Sequence, residues 1–185
     1  VDRKEGWKLT TADLSDIVER HGKAIYGFCY NLAGNRTDTE DLYQETFLKA
    51  MEICHKIDLE QNPKGYLISI AIRIWKNNRR KYARRQRIAP TEELQEDLCP
   101  CSDTGSTNSP EEIAISREQI KLVHIAAASL QDKLKIPLYM RYGADMPIES
   151  IAAALHIPQG TVKSRLHNAR KSIQKLLEVN AYERY

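Results

Sequence analysis

Residues 88–112 carry Glu92, Glu93, Glu96, Asp97, Asp103, Glu111 and Glu112 without a single cation, set among Pro, Ser, Thr and Gly. Such a stretch has too little apolar surface to offset the entropy of ordering it, and too much like charge to collapse. It reads as a flexible acidic linker. A chain of 185 residues divided there is expected to build two small cores rather than one large one. The first module would span about 10–87 and the second about 113–178.

Apolar residues on both sides recur with a helical period, and no strand pattern or internal repeat is present. Leu14, Ile17, Val18, Ile25, Phe28, Cys29 and Leu32 trace one stripe from a cap at Thr10 or Thr11 to a stop at Gly34-Asn35. A second helix capped by Thr37 or Asp38 would bury Leu42, Phe47, Ala50, Ile53 and Cys54. Asn62-Pro63 starts a third, as cap and first helical residue, with Leu67, Ile70, Ala71 and Ile74 inward. Beyond the linker, Ile113–Ala127 and Leu130–Tyr142 read as helices, the latter bent at Pro137 and ended by Gly143. The expected fold class is all-α.

The net charge of +3 says little, but its distribution is in blocks. Between Arg73 and Arg87 stand eight cations and no acid, with Trp75 and Tyr82 interleaved. Like charges repel unless a polyanion neutralises them, and rings among cations suit stacking on unpaired bases. The run therefore points to nucleic acid.

The stretch Ile148–Leu177 has helix-turn-helix character. Ile151, Ala152, Leu155 and Ile157 form a short apolar helix, and small Ala152 permits close crossing. His156 to Gly160 break the pattern, with Pro158 suited to the first turn of the next helix. Val162, Leu166, Ala169, Ile173 and Leu177 then face a core, while Lys163, His167, Arg170, Lys171 and Gln174 lie opposite, as a major-groove reader requires.

No apolar run approaches the roughly 20 residues of a membrane span, and the first residues lack a secretion signal's apolar centre. Cys29 and Cys54 lie on apolar stripes, so a reducing cytoplasm is expected. Cys99-Pro100-Cys101 offers two thiols, short of the four ligands of a closed zinc site. Glu40, Asp41 and Glu45 are better explained by the helix dipole than by a catalytic metal. No cofactor, metal or enzymatic activity is expected.

Two ordered segments carry a family resemblance. Thr39–Ala50, TEDLYQETFLKA, resembles the "AEDLvQevFlka" helix of bacterial RNA polymerase sigma factors, and Gly160–Leu166 with Ala169-Arg170 resembles their "GTVKSRLxRAR" recognition helix. Tyr66–Ala71 is similar to the intervening "WLyrIA" segment. With two modules and a short linker, the chain resembles the extracytoplasmic-function (ECF) group of the sigma-70 family. The sequence departs from the pattern at Tyr66, Arg73, His156 and Asn168.

The resemblance implies a sigma region 2 helical bundle and a sigma region 4 helix-turn-helix in a bacterial cytoplasmic protein that directs core RNA polymerase to promoters. Asp41, Gln44, Glu45 and Lys49 would dock on the clamp of the largest catalytic subunit. Arg73, Trp75, Lys76, Arg79, Arg80, Arg84 and Arg85, with the loop His55–Asn62, would engage the −10 element as it melts. Lys163, Ser164, His167 and Asn168 would read base edges of the −35 element, while Arg141, Arg165, Arg170 and Lys171 hold its backbone. An anti-sigma factor is the further expected partner. The acidic linker would thread a basic path in the polymerase.

Overall fold

A computed structural model describes residues 11–53, 62–88 and 110–182. All regular structure among them is helical, in the order α1 (Thr11–Ala33), α2 (Arg36–Glu52), α3 (Pro63–Ile88), α4 (Pro110–Ala128), α5 (Asp132–Leu138), a π-helical turn (Tyr139–Gly143), α6 (Ile148–Leu155) and α7 (Gln159–Tyr182). Thr10, the loop before Asn62, Cys54 and the Cys99/Cys101 pair lie outside the described residues. So does most of the acidic segment, although α4 begins at Pro110 and makes its last three residues helical.

The first module is a three-helix bundle in which α1, α2 and α3 pack on one another in every pairing. Ile25, Phe28, Cys29, Ile68 and Ala71 are fully buried at its centre. Each large aliphatic or aromatic side chain contributes on the order of 2 kcal/mol by leaving water. Val18, expected on the inward stripe of α1, is instead exposed. Gly34 closes α1 at φ 86, a left-handed conformation that glycine adopts without steric cost.

The start of α2 differs from the sequence expectation. Asn35, rather than Thr37 or Asp38, is the N-cap, its side-chain oxygen accepting from the Asp38 N–H at 2.8 Å. The next helix therefore begins one residue after the cap, at Arg36. The inward face of α2 also includes two threonines, Thr39 and Thr46, both fully buried. Their hydroxyls donate to the carbonyls of Asn35 at 2.5 Å and Leu42 at 2.6 Å, so neither is left unsatisfied. The expected start of α3 holds: Asn62 accepts from the Gly65 N–H at 2.9 Å and Pro63 is the first helical residue.

In the second module α4, α5 and α6 all pack against α7. Pro137 does not merely bend the expected Leu130–Tyr142 helix. It lacks the N–H that would continue the α pattern, and two residues later the chain widens into the π turn. The Ala144 N–H donates to the Tyr139 carbonyl at 3.0 Å, and Met146 to Met140 at 3.0 Å. This turn buries Tyr139 and Met140, and it is also where the two modules meet. The π turn packs on α1, and α6 packs on α3. Lys64 at the start of α3 donates to the Ala144 carbonyl at 2.5 Å. Apolar burial is continuous across the junction.

Candidate nucleic-acid interface

The helix-turn-helix is built by one unusual residue. His156 ends α6 in the left-handed conformation, φ 53, where helices commonly place glycine. The reversal lets the Ile157 N–H reach the Ala152 carbonyl at 3.1 Å. Pro158 then occupies the cap position rather than the first turn: its carbonyl accepts from Thr161 at 2.9 Å and from Val162 at 3.2 Å. Ala152, Val162, Leu166 and Ala169 are buried where α6 crosses α7, and Ile173 and Leu177 are half-buried.

The opposite face of α7 is open. Lys163, Ser164, His167, Asn168, Arg170 and Lys171 are all exposed, and Arg165 is half-buried at the edge. Ser164 donates to its own helix at Thr161, 3.0 Å away, leaving its oxygen free to accept. Two expected backbone-holding residues have other neighbours. Arg141 donates to the Met146 carbonyl at 3.0 Å, bracing the loop before α6. Arg170 stands at the rim of an apolar cleft of about 730 Å³ between α4, the π turn and α7, lined by Val123, Ala127, Tyr142, Ile173 and Leu177.

On α3, Arg73, Lys76, Arg79, Arg80, Arg84 and Arg85 are exposed, as is Tyr82. Trp75 departs from expectation. It is only 8 % exposed, and the Arg79 guanidinium sits over its ring at 4.8 Å. Its place on the helix sends the indole into the bundle with Ile74 and Ala71, so it supports Arg79 rather than offering a ring to an unpaired base. Arg79 is itself engaged. A single guanidinium nitrogen contacts both oxygens of Asp132 on α5, at 2.7 and 2.8 Å. Nothing in the spacing of the two residues foretells that contact.

Asp41, Gln44, Glu45 and Lys49 are exposed together on α2. The sequence reading missed a companion. Leu48 is 62 % exposed and lies seven residues from Asp41, hence on the same stripe, and Met51 extends it. The helical period that identified the polar stripe already contained this leucine. Asn78 of α3 donates to Glu45 at 3.3 Å, which ties this face to the basic helix. Among the described residues no group of three His, Cys, Asp or Glu is placed to hold a metal, and no helix is long and apolar enough to cross a membrane.

Comparison with known proteins meets these surfaces where they lie. The family model for Sigma-70 region 2 matches residues 17–85, the bundle with its acidic and basic faces. The model for Sigma-70, region 4, matches residues 122–173, the helix-turn-helix and the helices beneath it. The ECF RNA polymerase sigma factor SigW of Bacillus subtilis is 29 % identical over 167 residues, 88 % of each chain. The chain belongs to the ECF group of the sigma-70 family.

This sigma factor is also similar to SigX of Bacillus subtilis, 24 % identical over 88 % of the chain and 82 % of the relative. Its fold matches that of RpoE from Bartonella quintana, solved with the anti-sigma factor NepR, at a TM-score of 0.74 and 21 % identity, over 91 % of this chain and 99 % of that one. CnrH, solved with the cytosolic domain of CnrY, aligns with a TM-score of 0.65 and 17 % identity over 92 % and 90 %. The family acts with RNA polymerase in promoter-specific initiation of transcription, and its members are not enzymes.

Proposed function

We propose that this sigma factor docks on the clamp of core RNA polymerase through Asp41, Gln44, Glu45 and Lys49, joined by Leu48. The module of about 10–87 then engages the −10 element, through the cations of α3 from Arg73 to Arg85. The module of about 113–178 reads the −35 element as a duplex, with Lys163, Ser164, His167 and Asn168 at base edges and Arg165, Arg170 and Lys171 on phosphates. The observation that carries this reading is the division of α7. One face is sealed in the core by Val162, Leu166 and Ala169, and the other is an exposed row of cations and amide or imidazole groups.

Melting requires a base to leave its stack, which costs a few kcal/mol and must be offset by phosphate contacts and a receiving surface. The basic face of α3 supplies the cations for it. The 88–112 segment serves as an anionic tether between the two DNA-reading modules. An anti-sigma factor is a further proposed partner, since the sigma factor RpoE, of similar fold, was solved with the anti-sigma factor NepR. The apolar cleft beside α7 is surface available to it.

Transcription by purified core polymerase plus this protein, on sheared genomic DNA, tests the reading. Discrete start sites sharing two upstream elements are expected. Absence of any protein-dependent start, with the chain folded, would overturn it.

A further inference from the structure

The two modules are not simply adjacent. Asp132, in the first turn of α5, sets both carboxylate oxygens on the Arg79 guanidinium of α3, 53 residues earlier. The basic stretch of α3 contains no acid of its own, so the counter-charge is supplied by the other module. The guanidinium lies over the Trp75 ring, 4.8 Å from its centroid. A carboxylate there holds the position that a promoter phosphate oxygen would take, because both are anions satisfied by the same N–H donors.

Arg79 also lines a cavity of about 740 Å³ at the junction, together with Asp41, Arg85 and Lys135 of α5. Residues proposed for polymerase and for DNA thus share a space that the second module overhangs. Lys64, donating to the carbonyls of Ala144 at 2.5 Å and Asp145 at 3.3 Å, is a second strut between the same two modules. Both side chains of the Arg79–Asp132 pair are about half exposed, at 57 % and 41 %. Such a pair adds little to stability and is readily exchanged for another anion.

We propose that the Asp132–Arg79 contact is an autoinhibitory latch: in the free sigma factor it occupies a DNA-binding arginine from across the module junction, and it yields when a polyanion competes for Arg79. The inference rests on the assignment of Arg79 to promoter DNA made above. It explains why the acid sits on α5 at a position where stability gains almost nothing from it. It also weakens DNA binding by the free protein without altering any residue that touches DNA.

The test uses the full chain at low salt, with a fluorescein-labelled 30-nucleotide single strand of mixed sequence read by anisotropy. Asp132→Asn keeps the side chain's shape and removes its charge. It is expected to tighten binding on the order of fivefold, the scale of one exposed ion pair. Glu178→Ala, which removes an equal charge from the far end of α7, is expected to change binding less than twofold. Asp132→Ala, with helicity checked by circular dichroism, should repeat the Asp132→Asn result. Equal effects of Asp132→Asn and Glu178→Ala, while Arg79→Ala weakens binding, would overturn the latch and leave Arg79 a DNA contact. If Arg79→Ala has no effect in the Asp132→Asn background, the DNA assignment of Arg79 falls, and the latch with it.

Discussion

Asn35 and Asp38 hold each other at the entrance of α2: the Asn35 oxygen accepts the Asp38 backbone N–H at 2.8 Å, and its amide nitrogen donates to the Asp38 carboxylate at 2.9 Å. Removing a cap of this kind costs about 1 kcal/mol. Asn35→Ala is expected to lower unfolding free energy by that amount in urea titration. Asn35→Asp should retain only part of the capping, because a second carboxylate would face Asp38. Equal stability of wild type and Asn35→Ala would count against the cap.

His156 pays for its left-handed backbone with no hydrogen bond that would require an imidazole. Glycine at that position removes the clash between Cβ and the following carbonyl. His156→Gly should therefore raise stability by about 1 kcal/mol, visible as a higher urea midpoint at unchanged slope. A fall in the midpoint would show that the imidazole contributes something beyond geometry.

Burial pushes the Cys29 thiol up to about 12, and burial does the same to the Tyr139 hydroxyl, also to about 12. Both groups are neutral when protonated. The unfolded chain releases these protons first, near 9.0 for the thiol and 10.0 for the phenol. Stability from both is thus complete below pH 9 and is lost as pH climbs toward 12. The slope is about 1.4 kcal/mol per pH unit for each group inside its window. Urea titrations at pH 8 and 10.5 should show the loss, and Cys29→Ala should lose the part that begins near pH 9. An identical pH dependence in that variant would refute the assignment to Cys29.

Much of the architecture was readable before any coordinates because it rests on local rules. The stripes of α1 and α3, the Asn62 cap, the helix-turn-helix and the two open faces all follow from helical period and capping chemistry. What escaped the sequence depends on contacts between distant segments or on choices among near-equal local solutions. Asn35, Thr37 and Asp38 can each cap a helix, and only the turn set by Gly34 decides among them. Trp75 was read with its charged neighbours, yet its helical position places it with Ile74 and Ala71. Thr39 and Thr46 looked polar, but a threonine that bonds its own helix can be buried. Asp132 had no detectable link to Arg79, since no rule of spacing joins residues on either side of a linker.

Leu48 is the most exposed large apolar side chain on α2, so its truncation costs the core almost nothing. If that stripe docks on polymerase, Leu48→Ala should weaken binding to core enzyme about tenfold, the scale of a buried interface anchor worth more than 1 kcal/mol. Its thermal midpoint should stay within about a degree of wild type. Binding by biolayer interferometry decides the matter, and wild-type affinity would remove α2 from the docking surface.

On α7, the roles proposed for Asn168 and Lys171 separate two kinds of DNA contact. Asn168→Ala should flatten preference at one position of the −35 element, with a loss of about 1–3 kcal/mol against the favoured base. Lys171→Ala should weaken all duplexes alike and reduce the salt dependence by about one counterion. Titrations of the polymerase holoenzyme with a set of single-base variants, at two salt concentrations, distinguish the patterns. If Asn168→Ala weakened every sequence equally, Asn168 would belong to the backbone contacts.

The π turn at Tyr139–Gly143 holds five residues where an α-helix would close with four. One surplus residue advances the chain by about 100° around a helix axis. The azimuth at which α6 and α7 leave α5, and so the direction in which Lys163 and Asn168 look, is geared by that single insertion. A one-residue deletion there would keep every side chain of the proposed reading helix and still turn its exposed face by that angle.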